Sequence, residues 1–253
     1  VQLSGFWLQK RGFGFEKMRL NFSLVPPQRD RAELLDLHRG SRAEVRRSLH
    51  DIARINACLG GTKISLDAIF ALLEKTKTRE ARVLDIGTGL GDIPLQFQAQ
   101  AARRGWKLQT FALDINARHL QIAREELPAV SGVLLLRGDA LRLPFPDASV
   151  DVVHSSLFLH HFRATQIRAL LREFSRVAKI GWVMNDLERH GLPLWFLRTT
   201  WPIFARSSLT RLDGAASIRR AYTLDEMRII LREFENAKVE RRFPFRLCAQ
   251  WQR

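Results

Sequence analysis

The sequence predicts an α/β chain: a doubly wound, seven-stranded sheet, mostly parallel, closed by a C-terminal antiparallel hairpin and preceded by a helical cap. Three observations carry this. From residue 82 short β-like runs alternate with helical ones over short connections. A glycine-rich turn follows the first run and opens directly into a helix. Residues 238–252 read as two adjacent strands with Pro244 near their turn.

In chain order, residues 1–28 form an N-terminal extension. Residues 1–17 mix Phe, Trp, Gly and Lys without a period, and the first methionine is Met18. This is not the pattern of a secretory signal, and the natural start is expected at Met18. Residues 29–78 read as the helical cap. Leu34, Leu35 and Leu37 precede a Gly40-Ser41 break; Val45, Leu49, Ile52 and Ile55 then recur at helical steps up to Gly60-Gly61, a good helix stop. Leu66, Ile69, Phe70 and Leu73 mark a further helix over 65–75. Residues 79–253 form the main domain. Its predicted strands are 82–86, 109–114, 132–137, 150–155 and 180–186, with helices at 92–104, 117–127 and 165–177, and a closing pair at 238–245 and 246–252. Residues 188–222 interrupt the alternation as an insertion.

The 253 residues are 46% hydrophobic, enough for a real core, and 41 basic against 26 acidic side chains leave a net charge of +15. Such a charge first suggests nucleic acid or an acidic membrane surface. Its distribution argues otherwise, because residues 1–80, 81–180 and 181–253 carry +6, +4 and +5 with no basic tail. Two cysteines, Cys58 and Cys248, cannot build a disulfide framework or a Cys-based metal site and suit a reducing, cytoplasmic setting. No uncharged apolar run approaches the roughly 20 residues of a membrane helix.

The chemistry concentrates in Val83-Leu84-Asp85-Ile86-Gly87-Thr88-Gly89-Leu90-Gly91. Alternate glycines let a backbone turn tightly and approach a ligand closely. The run lacks the Gly-Lys-Ser/Thr of a phosphate loop and is not the Gly-x-Gly-x-x-Gly dinucleotide fingerprint. Asp85 inside the strand disfavours a pyrophosphate and suits a ligand bearing ammonium and sulfonium groups. Asp114 ends the second strand, where a carboxylate can accept from both hydroxyls of a ribose. Gly138-Asp139-Ala140 follows the third, where a side chain and the next N–H can meet an adenine edge. Each acid alone could cap a helix or a loop. Three stations in order at the C-terminal ends of strands are where open α/β sheets bind ligands.

In these motifs the chain resembles the class I S-adenosylmethionine-dependent methyltransferases, whose fold is a Rossmann-like sheet. The resemblance covers residues 79–190. It implies S-adenosyl-L-methionine as cofactor, with Asp85, Gly87, Thr88, Gly89 and Gly91 around the methionine part, Asp114 on the ribose, Ile115 against the adenine face, Asp139 and Ala140 at the adenine edge, and Ser155 and Ser156 facing the cofactor. The run 143–153 (LPFPDASVDVV) followed by Leu159-His160-His161-Phe162 resembles quinone-biosynthesis C-methyltransferases and small-molecule O-methyltransferases. Asn56 with Gly60-Gly61, Asn185-Asp186-Leu187 and Arg219-Arg220-Ala221-Tyr222-Thr223 resemble a bacterial branch acting in aromatic polyketide and phenolic-lipid pathways. DNA amino-methyltransferases carry Asn/Asp-Pro-Pro-Tyr/Phe after the fourth strand; here His154-Ser155-Ser156-Leu157 stands there, which makes a nucleic-acid substrate the weaker reading.

Methyl transfer to a hydroxyl needs an aligned nucleophile and, for some acceptors, a base. His161 and His160, just past the fourth strand, are the candidate catalytic groups, with helix capping and space filling as the plain alternative; His38 and His190 are further candidates. No clustered acids mark a metal site, so none is expected. The insertion carries Leu192, Leu194, Trp195, Phe196, Leu197, Trp201, Ile203 and Phe204 among Arg189, Arg198, Arg206 and Arg211. It reads as a lid over an apolar acceptor, as core packing, or as an interfacial or dimer-forming surface. The expected function is methylation of a hydroxyl on an aromatic or hydrophobic small molecule, by a monomer or homodimer with peripheral membrane contact. The alternatives are C-methylation of a quinol ring and a non-catalytic nucleic-acid-binding module.

Overall fold

A computed structural model of the chain describes residues 24–29, 33–35, 40–76, 78–204 and 207–253, the side chains of 198 and 201–204 excepted. The Met18 expectation, Leu37, His38 and the apolar groups at 201–204 of the insertion therefore lie outside what is described.

Strand β1 (Glu80–Ile86) is the centre from which the sheet grows in both directions. Its neighbours are β2 (Lys107–Asp114) on one side and β4 (Val150–Ser156) on the other. With β3 (Val133–Arg137), β5 (Ala178–Leu187), β6 (Lys238–Arg242) and β7 (Arg246–Gln252), the order is β3-β2-β1-β4-β5-β7-β6. Strands β1 to β5 are parallel, and β7 runs antiparallel between β5 and β6. The chain reverses direction of growth after β3, so β1 and β4 flank a switch point, where loops diverge and leave a crevice.

Successive side chains of a strand point to opposite faces, and β5 shows it: Trp182 and Met184 enter one core layer, Val183 the other. On the first face lie α5 (Ala164–Val177) and α8 (Leu224–Leu231). Helix α5 turns Ile167, Leu170, Leu171, Phe174 and Val177 inward at three- and four-residue steps. On the second face, α2 (Gly61–Leu73) and α3 (Asp92–Arg103) bury Ile69, Phe70, Leu73 and Phe97. Sequence reasoning left α8 unassigned.

The region 29–78 divides in two. Helix α2 is part of the core layer, packed against β4 and β5. Helix α1 (Arg42–Cys58) is the cap proper, started by a capping box between Ser41 and Glu44. Its Leu49, Ile52 and Ala53 close over Leu90 of the glycine turn. One end of α1 is held by α4 (Ala117–Glu126): Arg42 and Arg46 pair with Glu125. The other side is fastened to the insertion, which forms α6 (Gly191–Phe204) and α7 (Ser208–Arg220). There Ser48 bonds Thr210 (2.9 Å), and Asp51 accepts from the Ser207 N–H (2.7 Å). Asp213 of α7 accepts from the N–H groups of Leu34 and Leu35, which lie in a turn. Leu192, Trp195 and Phe196 of α6 are exposed, so plain core packing does not describe that face of the insertion. Among the described residues no single helix is long and apolar enough to cross a membrane.

Candidate active site at the C-terminal edge of the sheet

The glycine turn is pinned at the crevice before any side chain acts. The N–H groups of Gly87 and Thr88 both donate to the Leu113 carbonyl of β2, at 2.9 and 3.1 Å. Gly87, Gly89 and Gly91 have φ of +69°, +54° and +75°, a region costly for any residue with a Cβ. At Gly87 a Cβ would also stand 2.5 Å from the Phe158 ring.

Asp114 joins the turn to the end of β2. One carboxylate oxygen accepts from Gly89 N–H (2.9 Å) and the other from Asn116 N–H (2.8 Å). A carboxylate offers about four lone-pair sites, so acceptor capacity remains for two hydroxyl groups. Ile115 beside it is 63% exposed, an apolar surface next to that carboxylate. Asp139 is exposed and caps its own turn through Leu141 N–H (2.9 Å), while Ala140 is buried. The buried hydroxyls of Thr88 and Ser156 find no hydrogen-bond partner among the described residues. Buried polar groups without partners are uncommon, and here both lie at strand ends bordering the crevice. Positive-φ glycines, a carboxylate with spare acceptor capacity, two orphan hydroxyls and an apolar flank fit a nucleoside-bearing cofactor.

Two residues sit differently from expectation. The Ser155 hydroxyl turns inward to Met184 Sδ (3.1 Å) and does not face the crevice. Asp85 lies beneath the turn against His154 Nδ1 (2.6 Å), so its partner is this buried imidazole. Asp92, at the start of α3, is half-buried near Asp85. Burial first, and the Asp85 charge second, push its carboxyl up to about 6. Neither His154 nor Asp92 was recognisable from sequence as part of this layer.

Beyond β4 the tight turn Leu159–His161 presents the two histidines. His160 is buried, with Nδ1 2.7 Å from Asp186 Oδ1, its backbone N–H donating to Asp186 Oδ2 (2.9 Å), and Nε2 3.3 Å from Glu33 Oε1. Burial by itself disfavours the imidazolium, but the two carboxylates outweigh it and raise the group to about 10. Burial would raise Glu33, but the His160 hydrogen bond, the charges of His161 and His160 and the Ser217 hydrogen bond outweigh it and bring it to about 2; burial would likewise raise Asp186, but His160 and backbone N–H groups lower it. His160 is therefore an ion-paired imidazolium near neutrality, unsuited to accept a proton. His161 is half-buried, its ring 4.4 Å from that of His160 and beside Phe158. Arg220 holds the turn by donating to the His161 carbonyl (2.5 Å), and Tyr222 donates to the Phe162 carbonyl (2.8 Å). His190 instead stacks on Phe245.

The short motifs on Asn56, Gly61 and Asn185 meet in one buried layer with Arg246, which the sequence did not single out. Arg246 donates to Asn56 Oδ1 (2.7 Å), and Asn185 donates to the Gly61 carbonyl (2.8 Å). A Cβ on Gly61 would lie 2.0 Å from Asn56 Oδ1 and 2.9 Å from the Arg246 guanidinium, so only glycine fits. Glu33 was missed because nothing local marks it. Asp186 was visible only as part of a motif at the end of the fifth strand.

Residues 83–181 match a protein-family model described as a methyltransferase domain. The demethylmenaquinone methyltransferase of Roseiflexus castenholzii is 34% identical over 137 residues, covering 50% of this chain and 53% of that protein. The ubiquinone/menaquinone biosynthesis C-methyltransferase UbiE of Cupriavidus necator is 32% identical over 179 residues, covering 70% and 65%. The chain thus spans about half the length of the first of these relatives. In fold it is similar to a SAM-dependent methyltransferase from Aquifex aeolicus, with a TM-score of 0.54 and 17% identity over 85% of this chain and 99% of that one. With the glycine turn of β1 and Asp114 of β2 at the switch point of a 3-2-1-4-5-7-6 sheet, residues 83–181 match a methyltransferase domain in sequence, and the sheet around them is similar to those of S-adenosylmethionine-dependent methyltransferases in fold.

Proposed function

We propose that this chain binds S-adenosylmethionine under α1 and directs its methyl group to a hydroxyl of an aromatic or otherwise hydrophobic small molecule. The observation that carries the reading is the position of His161, half-buried at the end of β4, on the same sheet edge as the glycine turn and Asp114. The cofactor when bound supplies a methyl made electrophilic by its sulfonium. Asp114 would hold the ribose, the Gly87–Gly91 backbone the methionine part, and Ile115 and Asp139 the adenine.

In this proposal His161 takes the acceptor's proton. His160, locked between Asp186 and Glu33, orients its neighbour and keeps a fixed positive charge beside an acceptor oxygen as it becomes anionic. Phe158 and the insertion would wall an apolar acceptor and exclude water. C-methylation of a quinol ring is the second reading, favoured by the names of the relatives. For it the same imidazolium would stabilise a ring phenolate, with carbon as the nucleophile. The free thiols Cys58 and Cys248 suit a reducing cytoplasm.

The test is incubation with methyl-labelled cofactor and a panel of phenols, quinols and carboxylic acids, with products resolved by mass spectrometry. Label on an aromatic hydroxyl supports the main reading, and label on ring carbon selects the second. Label only in RNA or protein fractions would refute both.

A further inference from the structure

We propose that Glu33, His160 and His161 form a binding site for a divalent transition cation of the zinc class. Their ligand atoms, one carboxylate oxygen and two imidazole nitrogens, all lie within 4.8 Å of one another. Zinc held at about 2.1 Å in tetrahedral geometry wants donors about 3.4 Å apart. The His160 Nε2 to Glu33 Oε1 separation of 3.3 Å already meets this, and a rotation of the half-buried His161 ring closes the rest.

The surroundings resemble a prepared ligand set. A metal-binding histidine commonly gives its second nitrogen to a carboxylate, which fixes ring orientation and strengthens the donor. Asp186 does this at His160 Nδ1, 2.7 Å away, and anchors the backbone N–H of the same residue. Glu33 is itself held by Ser217 Oγ at 2.6 Å. Two nitrogens and one oxygen suit zinc, nickel or cobalt, whereas magnesium and calcium prefer oxygen throughout. Three protein donors leave a fourth position; the cation displaces the Nε2 proton that His160 holds toward Glu33, which passes to solvent, while Asp186 keeps the proton on Nδ1.

A cation here takes the His161 nitrogen to which the proposed function assigns proton removal, so its binding inhibits transfer to a hydroxyl. This consequence rests on that proposal, while the site itself does not. The experiment is calorimetric titration of zinc chloride into the full chain, with Glu33→Gln, His161→Ala and Asp186→Asn alongside, and His190→Ala as control. One cation per chain is expected. The Asp186 variant should bind 10- to 100-fold more weakly, the first two should lose the site, and His190→Ala should match the wild type.

Cobalt(II) on the wild type gives a second readout independent of variant folding: intense visible bands of a four-coordinate site, abolished by zinc. Weak bands of the hydrated ion, or equal zinc affinity in wild type and His161→Ala, would overturn the site. Methyl transfer unaffected by zinc at saturation would overturn the inhibition. Zinc binding without any methyl transfer would instead remove the proposed function and leave the site standing.

Discussion

Gly87→Ala tests how tightly the cofactor turn is tied to the acceptor side. Gly87 has φ +69°, and a Cβ there would stand 2.5 Å from Phe158 Cδ2. The left-handed backbone costs a residue with a Cβ about 1–2 kcal/mol, and overpacking a filled space costs a further ~1–3 kcal/mol. Together they predict a loss of about 2–5 kcal/mol, which lowers the melting temperature by roughly 5–20 °C for a chain of this size. Phe158 is also the residue that leads into the Leu159–His161 turn. Pushing its ring aside should move His161, so turnover should fall along with cofactor affinity. The double variant Gly87→Ala/Phe158→Ala removes the clash but keeps the backbone cost. A thermal and urea double-mutant cycle should therefore show a favourable coupling of ~1–3 kcal/mol. Additivity of the two substitutions within about 0.5 kcal/mol would refute the contact and the coupling argued from it.

Other expectations follow from the same geometry. Asp114→Ala removes an acceptor for two backbone N–H groups and two proposed ribose hydroxyls; with charge-assisted bonds worth about 1.5–3 kcal/mol each, cofactor affinity should drop by at least about a hundredfold by calorimetry. Asp92 carries a pH signature. Its folded value of about 6 lies above the ordinary 3.8, so the native state favours the protonated form. Its contribution to stability is best below pH ~4, is lost as pH rises to 6, and stays lost above. Asp92→Asn should accordingly have little effect near pH 4 and stabilise by on the order of 3 kcal/mol at pH 7, read by urea unfolding; a pH-independent difference would contradict this. His161→Ala should lower turnover on a hydroxyl acceptor by about 10²- to 10⁴-fold with the fold intact. His160→Ala should instead lower stability first, because it leaves Glu33 and Asp186 buried without their partner.

The elements were readable where a local rule governs them. Alternate glycines after a β-like run fixed the start of α3, and three- and four-residue steps fixed the inner face of α5. The same reasoning took Gly60-Gly61 as the end of one helix, with the next beginning at 65. In the structure Gly60, at φ +75°, closes α1 and opens α2 at once, a dual use that a single stop signal does not reveal. Strands β1 and β2 begin earlier than their apolar runs, at Glu80 and Lys107. Their exposed polar residues join the ladder through backbone and through an ion pair between Lys107 and Glu80 (3.0 Å), not through apolar burial.

The site divides along similar lines. Asp114 and the glycine turn were legible because chemistry and strand position coincide in the sequence. The partners of the buried groups were not. Asp85 meets His154 across the β1–β4 pairing, and His160 meets Asp186 from the end of β5 and Glu33 from the cap. Those contacts are set by sheet order and cap docking. They give Asp85 and His160 buried partners that no local sequence feature marks.

The most direct test of the central claim is a crystal structure of the chain with S-adenosylhomocysteine. The account predicts ribose hydroxyls on Asp114, the amino-acid portion against the Gly87–Gly91 backbone, and the sulfur between that turn and His161. A ligand bound elsewhere, or in the crevice with Asp114 bonded only to Gly89 and Asn116, would contradict it.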